Sequence, residues 1–379
     1  MEKVEPWSSK LSWSQVVSET KSIADTITKR RPSQENQPNE INIEPVFGTY
    51  VTRNRDFREE LQNLLLTVQN YARRPKVKRP FNILLSSDPG SGKSFLLKQL
   101  AKSLPHDIEV LFDEYHVPAF RSREDLYGAF QRVQSANLEG KFPVVFFDEV
   151  DAMVEGEYLL ASFLAPMWDG LFHIGKDSFA LGRAIFSFAA SSMLPSPSIH
   201  DSDGQNGEFT YQDFVDRWNA IVKAFLENDI AGNDNIGAEP AQKPKTSIPK
   251  SKDFIDRIDR KICIPPVNKI LLKEAFYEEL IDIACLLVRK HFEEVDEIEG
   301  SALMALATIL REFPSRRSAE RCVFSSSPDG NKFGYSSLPK SERDRLQGDP
   351  DIDSVLPRNQ WFKIRIGKKQ SSEWLSTLP

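Results

Sequence analysis

The sequence has no apolar run long enough to cross a bilayer, and its start, Met1-Glu2-Lys3-Val4-Glu5-Pro6-Trp7, lacks the apolar stretch of a signal peptide. A cytoplasmic protein with no membrane partner is expected. Cysteine is scarce. Cys263, Cys285 and Cys322 stand far apart, without metal-ligand spacing, and are expected to be reduced and buried. Positive charge is not in excess either: 49 Lys and Arg face 55 Asp and Glu, for a net charge of -6. Long-range attraction to nucleic acid or anionic lipid is thereby excluded, although a local basic face can coexist with an acidic total. The five histidines form no triad with a serine or cysteine nucleophile, and no paired carboxylates point to glycosidase chemistry.

What remains is a 379-residue chain, 40% apolar and 27% charged, long enough for two or three modules. Residues 11–28 space Trp13, Val16, Val17, Ile23 and Ile27 as a short amphipathic helix, and 29–42 turn to Arg, Pro, Gln, Asn, Ser and Glu, a linker composition. From residue 43 apolar strands and helices alternate, which argues for a parallel α/β sheet running to about 265. Residues 195–250 interrupt that rhythm as a partly disordered insertion around one helix, 211–227. Residues 266–326 read as a small helical domain, and 327–379 carry one strand-like run, 361–366, in a stretch left unassigned.

The chain is organised around Phe81-Asn82-Ile83-Leu84-Leu85-Ser86-Ser87-Asp88-Pro89-Gly90-Ser91-Gly92-Lys93-Ser94. An apolar strand breaks at a Gly/Ser turn and restarts with helical spacing, as a phosphate-binding loop requires. Ser87 stands where that motif has its first glycine; Gly90, Gly92, Lys93 and Ser94 match it. The candidate cradle is Asp88, Pro89, Gly90, Ser91, Gly92, Lys93, Ser94 and Phe95, whose backbone N–H groups, of which Pro89 has none, and lysine would bind ATP phosphates. Val144-Val145-Phe146-Phe147-Asp148-Glu149-Val150-Asp151 is the second signal. It puts Asp148 at the end of a buried strand, where it and the Ser94 hydroxyl can hold Mg2+, with Glu149 placed to activate water.

The pair resembles the AAA+ ATPases of the P-loop NTPase superfamily, over roughly Val46 to Ser325 without the insertion. The resemblance implies a five-stranded parallel sheet, a helical lid, and nucleotide at the interface of a homo-oligomeric ring or helical assembly, with a hexamer favoured. Asp256-Arg257-Ile258-Asp259-Arg260 is similar to the family's arginine-finger segment, with Arg257 as the finger; the alternative is a salt bridge to Asp253 or Asp256. The family's frequent earlier arginine is replaced by Phe254. Ser191 or Ser192 falls at sensor 1. Arg316, or else Arg317, falls at sensor 2. Leu164 to Phe172, Gly175 and Gly182-Arg183 look like the Clp unfoldases, which carry a β-hairpin there; the alternative is a helix, a turn and a loop. Tyr115 and Phe120 are candidates for an aromatic pore loop, but the family's aromatic-Gly pattern is missing and an ordinary connection is the better reading.

The implied function is an ATP hydrolase that remodels or assembles a macromolecular partner, a protein first. Two alternatives stay open: a nucleic-acid-associated ATPase of the loader or transposition-regulator kind, hinted at by the basic run 73–79, and a nucleotide-gated scaffold or switch of low turnover.

Overall fold

In a computed structural model the chain is described at residues 18, 21–27, 39–87, 90–190, 193–194, 197, 210–227, 248–265, 273–312, 316–347 and 360–367. In chain order these form β1 (Glu40–Ile43), α1 (Arg55–Ala72), β2 (Phe81–Ser86), α2 (Lys93–Lys102), β3 (Val110–His116), α3 (Arg123–Leu138) and β4 (Phe142–Asp148). There follow a small hairpin, β5 (Met153–Val154) with β6 (Glu157–Tyr158), then α4 (Leu160–Asp169), β7 (Leu171–Ile174), β8 (Asp177–Ala180), β9 (Ile185–Ala189) and α5 (Tyr211–Glu227). The remainder is α6 (Ser251–Ile255), β10 (Arg260–Cys263), α7 (Lys273–His291), β11 (Glu297–Glu299), α8 (Gly300–Glu312), α9 (Arg316–Phe324), β12 (Lys332–Phe333), α10 (Lys340–Gln347) and β13 (Trp361–Ile366). The described residues divide into two compact units, one within Glu59–Asp88 and Gly92–Pro266, the other within Met1–Arg58, Pro89–Ser91 and Val267–Pro379.

The first unit is the α/β core, built on a five-stranded sheet in the order β10-β2-β9-β4-β3 with every pairing parallel. Its central strands are apolar because both faces are covered: β9 and the first six residues of β4 are buried throughout. Phenylalanines fill one face. Phe147 meets Phe163 at 5.0 Å, Phe186 at 5.4 Å and Phe188 at 5.7 Å between ring centroids, mostly edge to face. Tyr71 of α1 closes the near end of the sheet, donating to the Arg79 carbonyl (2.5 Å) and accepting from Ala184 N (3.3 Å). Burial pushes its hydroxyl up to about 12, so it stays protonated at every working pH.

The basic run 73–79 needs a correction at one position. Arg79 is no solvated cation but a clamp: its guanidinium meets both Asp259 oxygens (3.1 and 2.7 Å) and lies over the Trp168 ring (5.6 Å). Asp259 also accepts from Asn82 N (2.9 Å), so the clamp ties the start of β2 to the approach to β10. Gly170, which ends α4, packs so tightly on this connection that a Cβ would sit 2.1 Å from the Lys78 carbonyl oxygen. No side chain fits there.

The second unit differs from the sequence reading in three ways. Residues 40–42, read as the end of a linker, are strand, and β1 pairs in parallel with β13 from the unassigned tail (Ile41↔Ile364). The run 266–326, read as wholly helical, contains β11, which pairs antiparallel with β13; the sheet order is β1-β13-β11-β12. One core unites these elements. Ile23 and Ile27 from the helical residues 21–27, Ile41, Ile43, Phe362 and Ile364 are buried with Leu280, Ala284, Leu303 and Leu306 of α7 and α8. A strand of four residues with alternating burial carries little signal by itself, which is why its partner some 320 positions away had to be seen. Asn54 caps α1 by accepting from Phe57 N (2.8 Å), and Arg53 fixes that entry to α7 through Asp282 (Nε to Oδ2 2.7 Å) and Glu279 (from Arg53 N, 2.7 Å).

Candidate nucleotide site

The register aligns the ends of the central strands. Leu85 of β2 pairs with Ala189 of β9, Phe147 of β4 pairs with Phe188, and His116 of β3 pairs with Asp148. Ser86, Ala189 and Asp148 therefore finish on one edge of the sheet, with β2 and β4 two strand spacings apart, about 10 Å. In an open α/β sheet that carboxyl edge is where ligands bind.

Both loop glycines need their lack of a side chain: Gly90 has φ 80° and Gly92 φ 93°. Gly92 is the residue before α2, and no side chain caps that ten-residue helix. A glycine at that position has no side chain to compete with an anion for the N–H groups of the first turn. Lys93 Nζ turns back along the loop, donating to Ser87 Oγ (3.1 Å) and to the Ser87 carbonyl (3.4 Å). Ser87, the departure from the motif, thus gives the lysine an extra acceptor. Asp88 and Pro89 lie outside the described residues; Ser91 and Phe95 are half-buried.

Across the edge, Glu149 sits in the left-handed region (φ 53°) and donates its N–H to Asp148 Oδ1 (3.1 Å). A side chain in that region is disfavoured, and the surroundings must hold it there. Two residues earlier the end of β4 is anchored by Phe147, whose ring lies among Phe163, Phe186, Phe188 and Tyr115.

Arg257 stands at the other end of the sheet. Its carbonyl accepts from Asn82 Nδ2 (3.0 Å) at the start of β2, roughly 16 Å along the strand from Ser87 at 3.3 Å per residue. Among the described residues it forms no salt bridge to Asp253 or Asp256. It donates instead to the Asp253 carbonyl (2.5 Å), while Lys250 takes the Asp253 carboxylate (2.9 Å) and the Arg257 Nε is buried without a hydrogen-bond partner. Phe254, in place of the family's earlier arginine, is fully buried against Phe188 (4.9 Å) and Phe163 (6.1 Å), so that position serves the core.

Residues 83–172 match the model of the ATPase family associated with various cellular activities, AAA. Over that span the chain is similar to an AAA domain. No curated protein matches the chain. Among solved structures, the closed-state cryo-EM reconstruction of Hsp104 with ATPyS and FITC casein is similar over 82% of this chain at 15% identity, with a TM-score of 0.44. This chain spans 47% of that one, a likeness too loose to decide anything about function.

Within the α/β unit the region after β4 is a defined one. Residues 171–174 and 177–180 form the two-stranded hairpin β7–β8, joined by Gly175-Lys176, rather than a loop. Tyr115 is not on a loop: it belongs to β3, stacks on Phe147 (5.6 Å) and meets Phe120 (6.0 Å), so both aromatics are packing residues. Ser191 and Ser192 lie outside the described residues. Arg316 opens α9 with its side chain outside the described set, and Arg317, one residue on, is exposed. Among the described residues no three His, Cys, Asp or Glu gather as a metal site, and no helix is long and apolar enough to cross a membrane.

One residue of the α/β unit gave no signal in the sequence. Glu114, on β3, accepts from the Ser94 hydroxyl (2.8 Å) and from Lys98 Nζ (2.7 Å). Its period-two position beside β4 gave no sign that it would meet the phosphate-loop serine, because that contact crosses from the sheet to the helix packed on it.

Proposed function

We propose that this chain is an ATP hydrolase, working in the cytoplasm as an assembly of its own copies, that remodels or assembles a macromolecular partner, a protein first. The observation that carries it is the uncapped glycine start of α2, with Lys93 beside it, on the same sheet edge as Asp148 and Glu149. The backbone from Asp88 to Phe95 and Lys93 bind the phosphates of ATP. Ser94 and Asp148 are the hard oxygen donors for Mg2+, which when bound neutralises phosphate charge. Glu149 orients the attacking water and polarises it. Arg257 acts in trans on the site of a neighbouring copy, because its own site is at the far end of the sheet. Ser192 (or Ser191) and Arg316 (or Arg317) report on the phosphates. A trans arginine requires neighbouring copies, in a ring or helical assembly, and the family resemblance favours six in the ring case.

The nucleic-acid reading loses part of its support, since Arg79 is committed to Asp259. A turnover assay with unfolded protein, DNA or RNA added separately decides between the readings. Stimulation by unfolded protein alone is the expected result; stimulation by DNA or RNA alone moves the assignment to a loader-type ATPase, and a silent but tightly nucleotide-bound protein moves it to a switch.

Glu114 gives a further check on the metal site. With the Ser94 proton directed at Glu114, the oxygen lone pairs are left for the metal, as outer partners generally orient metal ligands. Glu114→Ala is expected to raise the Mg2+ concentration for half-maximal turnover roughly 10-fold, with Glu114→Gln closer to native. An unchanged Mg2+ titration for both variants would mean the contact is incidental.

A further inference from the structure

The turn after β4 is bound to the end of β9 by more than strand pairing. Val150 N donates to the Ala189 carbonyl (2.9 Å), and Ala152 N closes the turn onto the Glu149 carbonyl (3.0 Å). Asp151 completes the arrangement. Its side chain is 3% exposed, and its Oδ2 accepts from Met193 N at 2.6 Å, a buried contact across 42 positions of sequence. A carboxylate is costly to bury, and a charge-assisted bond to a backbone amide is among the ways to offset that cost. A residue whose only task was to end a strand would sit in water.

We propose that Asp151 is a positioning residue: by holding the backbone at Met193 it locks the turn that keeps Glu149 in its left-handed conformation at the sheet edge. This rests on the hydrolase reading given above. Asp151 faces the protein interior and touches no reacting atom. Its influence passes through two links just after Glu149, the Val150–Ala189 bond and its own bond to Met193, while the paired end of β4 holds the chain just before it. If the turn relaxes, the direction of the Glu149 carboxylate changes while the phosphate loop, on β2 and α2, is untouched. Chemistry should therefore suffer and nucleotide binding should not.

The test compares Asp151→Ala and Asp151→Asn in the full chain by turnover, by binding of a fluorescent ATP analogue, and by amide hydrogen exchange at Val150 and Met193. Misplacing a catalytic group by about 1 Å can cost roughly 100-fold, so Asp151→Ala is expected to lower kcat by roughly 10- to 100-fold at native nucleotide affinity, with both amides exchanging faster. Asp151→Asn, whose amide oxygen still accepts from Met193 N, is expected to recover most of the rate, and it remains informative should the alanine variant fail to fold. In a Glu149→Gln background, Asp151→Ala is expected to cost nothing further. Native kcat with unchanged exchange, parallel loss of affinity and rate, or full additivity with Glu149→Gln overturns the proposal. Should the native chain turn over no ATP, the hydrolase reading falls by itself; unchanged exchange at Met193 and Val150 in the variants would still reject the lock, and faster exchange would still uphold it.

Discussion

Glu149→Gln is expected to bind ATP as the native chain does and to hydrolyse it roughly 100-fold more slowly or worse, the usual scale for loss of a positioned acid–base group. The physical reason lies in where the residue stands. Glu149 is one position beyond the buried strand β4, its N–H bonded to Asp148 and its backbone held left-handed. The amide of glutamine is close in size, so the turn and Asp148 keep their geometry, while the charge that polarises water is gone. In the proposed site, binding depends on the glycine start of α2 and on Lys93, which β2 positions independently. A fluorescent-nucleotide titration run beside a phosphate-release assay checks both halves. Native turnover in the variant would remove Glu149 from the chemistry, and lost binding would place it in the nucleotide cradle instead.

Arg257→Ala should be at least as severe, since an arginine that stabilises phosphoryl-transfer charge is worth roughly 10³-fold or more in rate. The sheet makes the sharper statement. Because Arg257 lies at the opposite end of β2 from the phosphate loop, loss of its guanidinium should silence the neighbouring site and leave its own intact. Mixing Arg257→Ala with Glu149→Gln therefore has a distinctive outcome. Each is inactive alone, yet in mixed assemblies some interfaces join an intact Glu149 from one copy to an intact Arg257 from the other, and activity should return in part. No recovery across all mixing ratios would argue that Arg257 serves only its own chain, through the Asp253 carbonyl. Lys, which cannot form the same planar fork, should rescue poorly at this position.

The elements most legible in the sequence were those fixed by local rules. The apolar run ending at Asp148, the helix restarting at Lys93 and the insertion helix 211–227 needed only period, breaker residues and caps, and the structure places all three where those rules put them. What was not legible depended on pairs distant in sequence. Arg79 looked like one of five loose cations until Asp259 stood beside it. Glu114 looked like a strand surface residue until Ser94 reached it across the helix–sheet junction. Asp151 was visible only as the last acid of the motif, because its partner is a backbone amide, which no residue identity advertises. The end of β3 is hidden in the sequence for a related reason: Asp113 and Glu114 interrupt the apolar pattern, yet the strand continues because its backbone is paired with β4 through His116.

The pairing of β1 with β13 bears on how the polypeptide reaches its native form during synthesis. Residues 59–266 are nearly continuous in sequence, and their sheet can assemble as soon as β10 leaves the ribosome. The other unit cannot. Its first strand emerges near residue 40 and its central partner only at 361, so Ile41 and Ile43 wait, solvent-facing or chaperoned, while roughly 320 further residues are made. A chain stopped just before Trp361 would leave both β1 and β11 without their shared neighbour, so it should bind chaperones long after its α/β unit has folded.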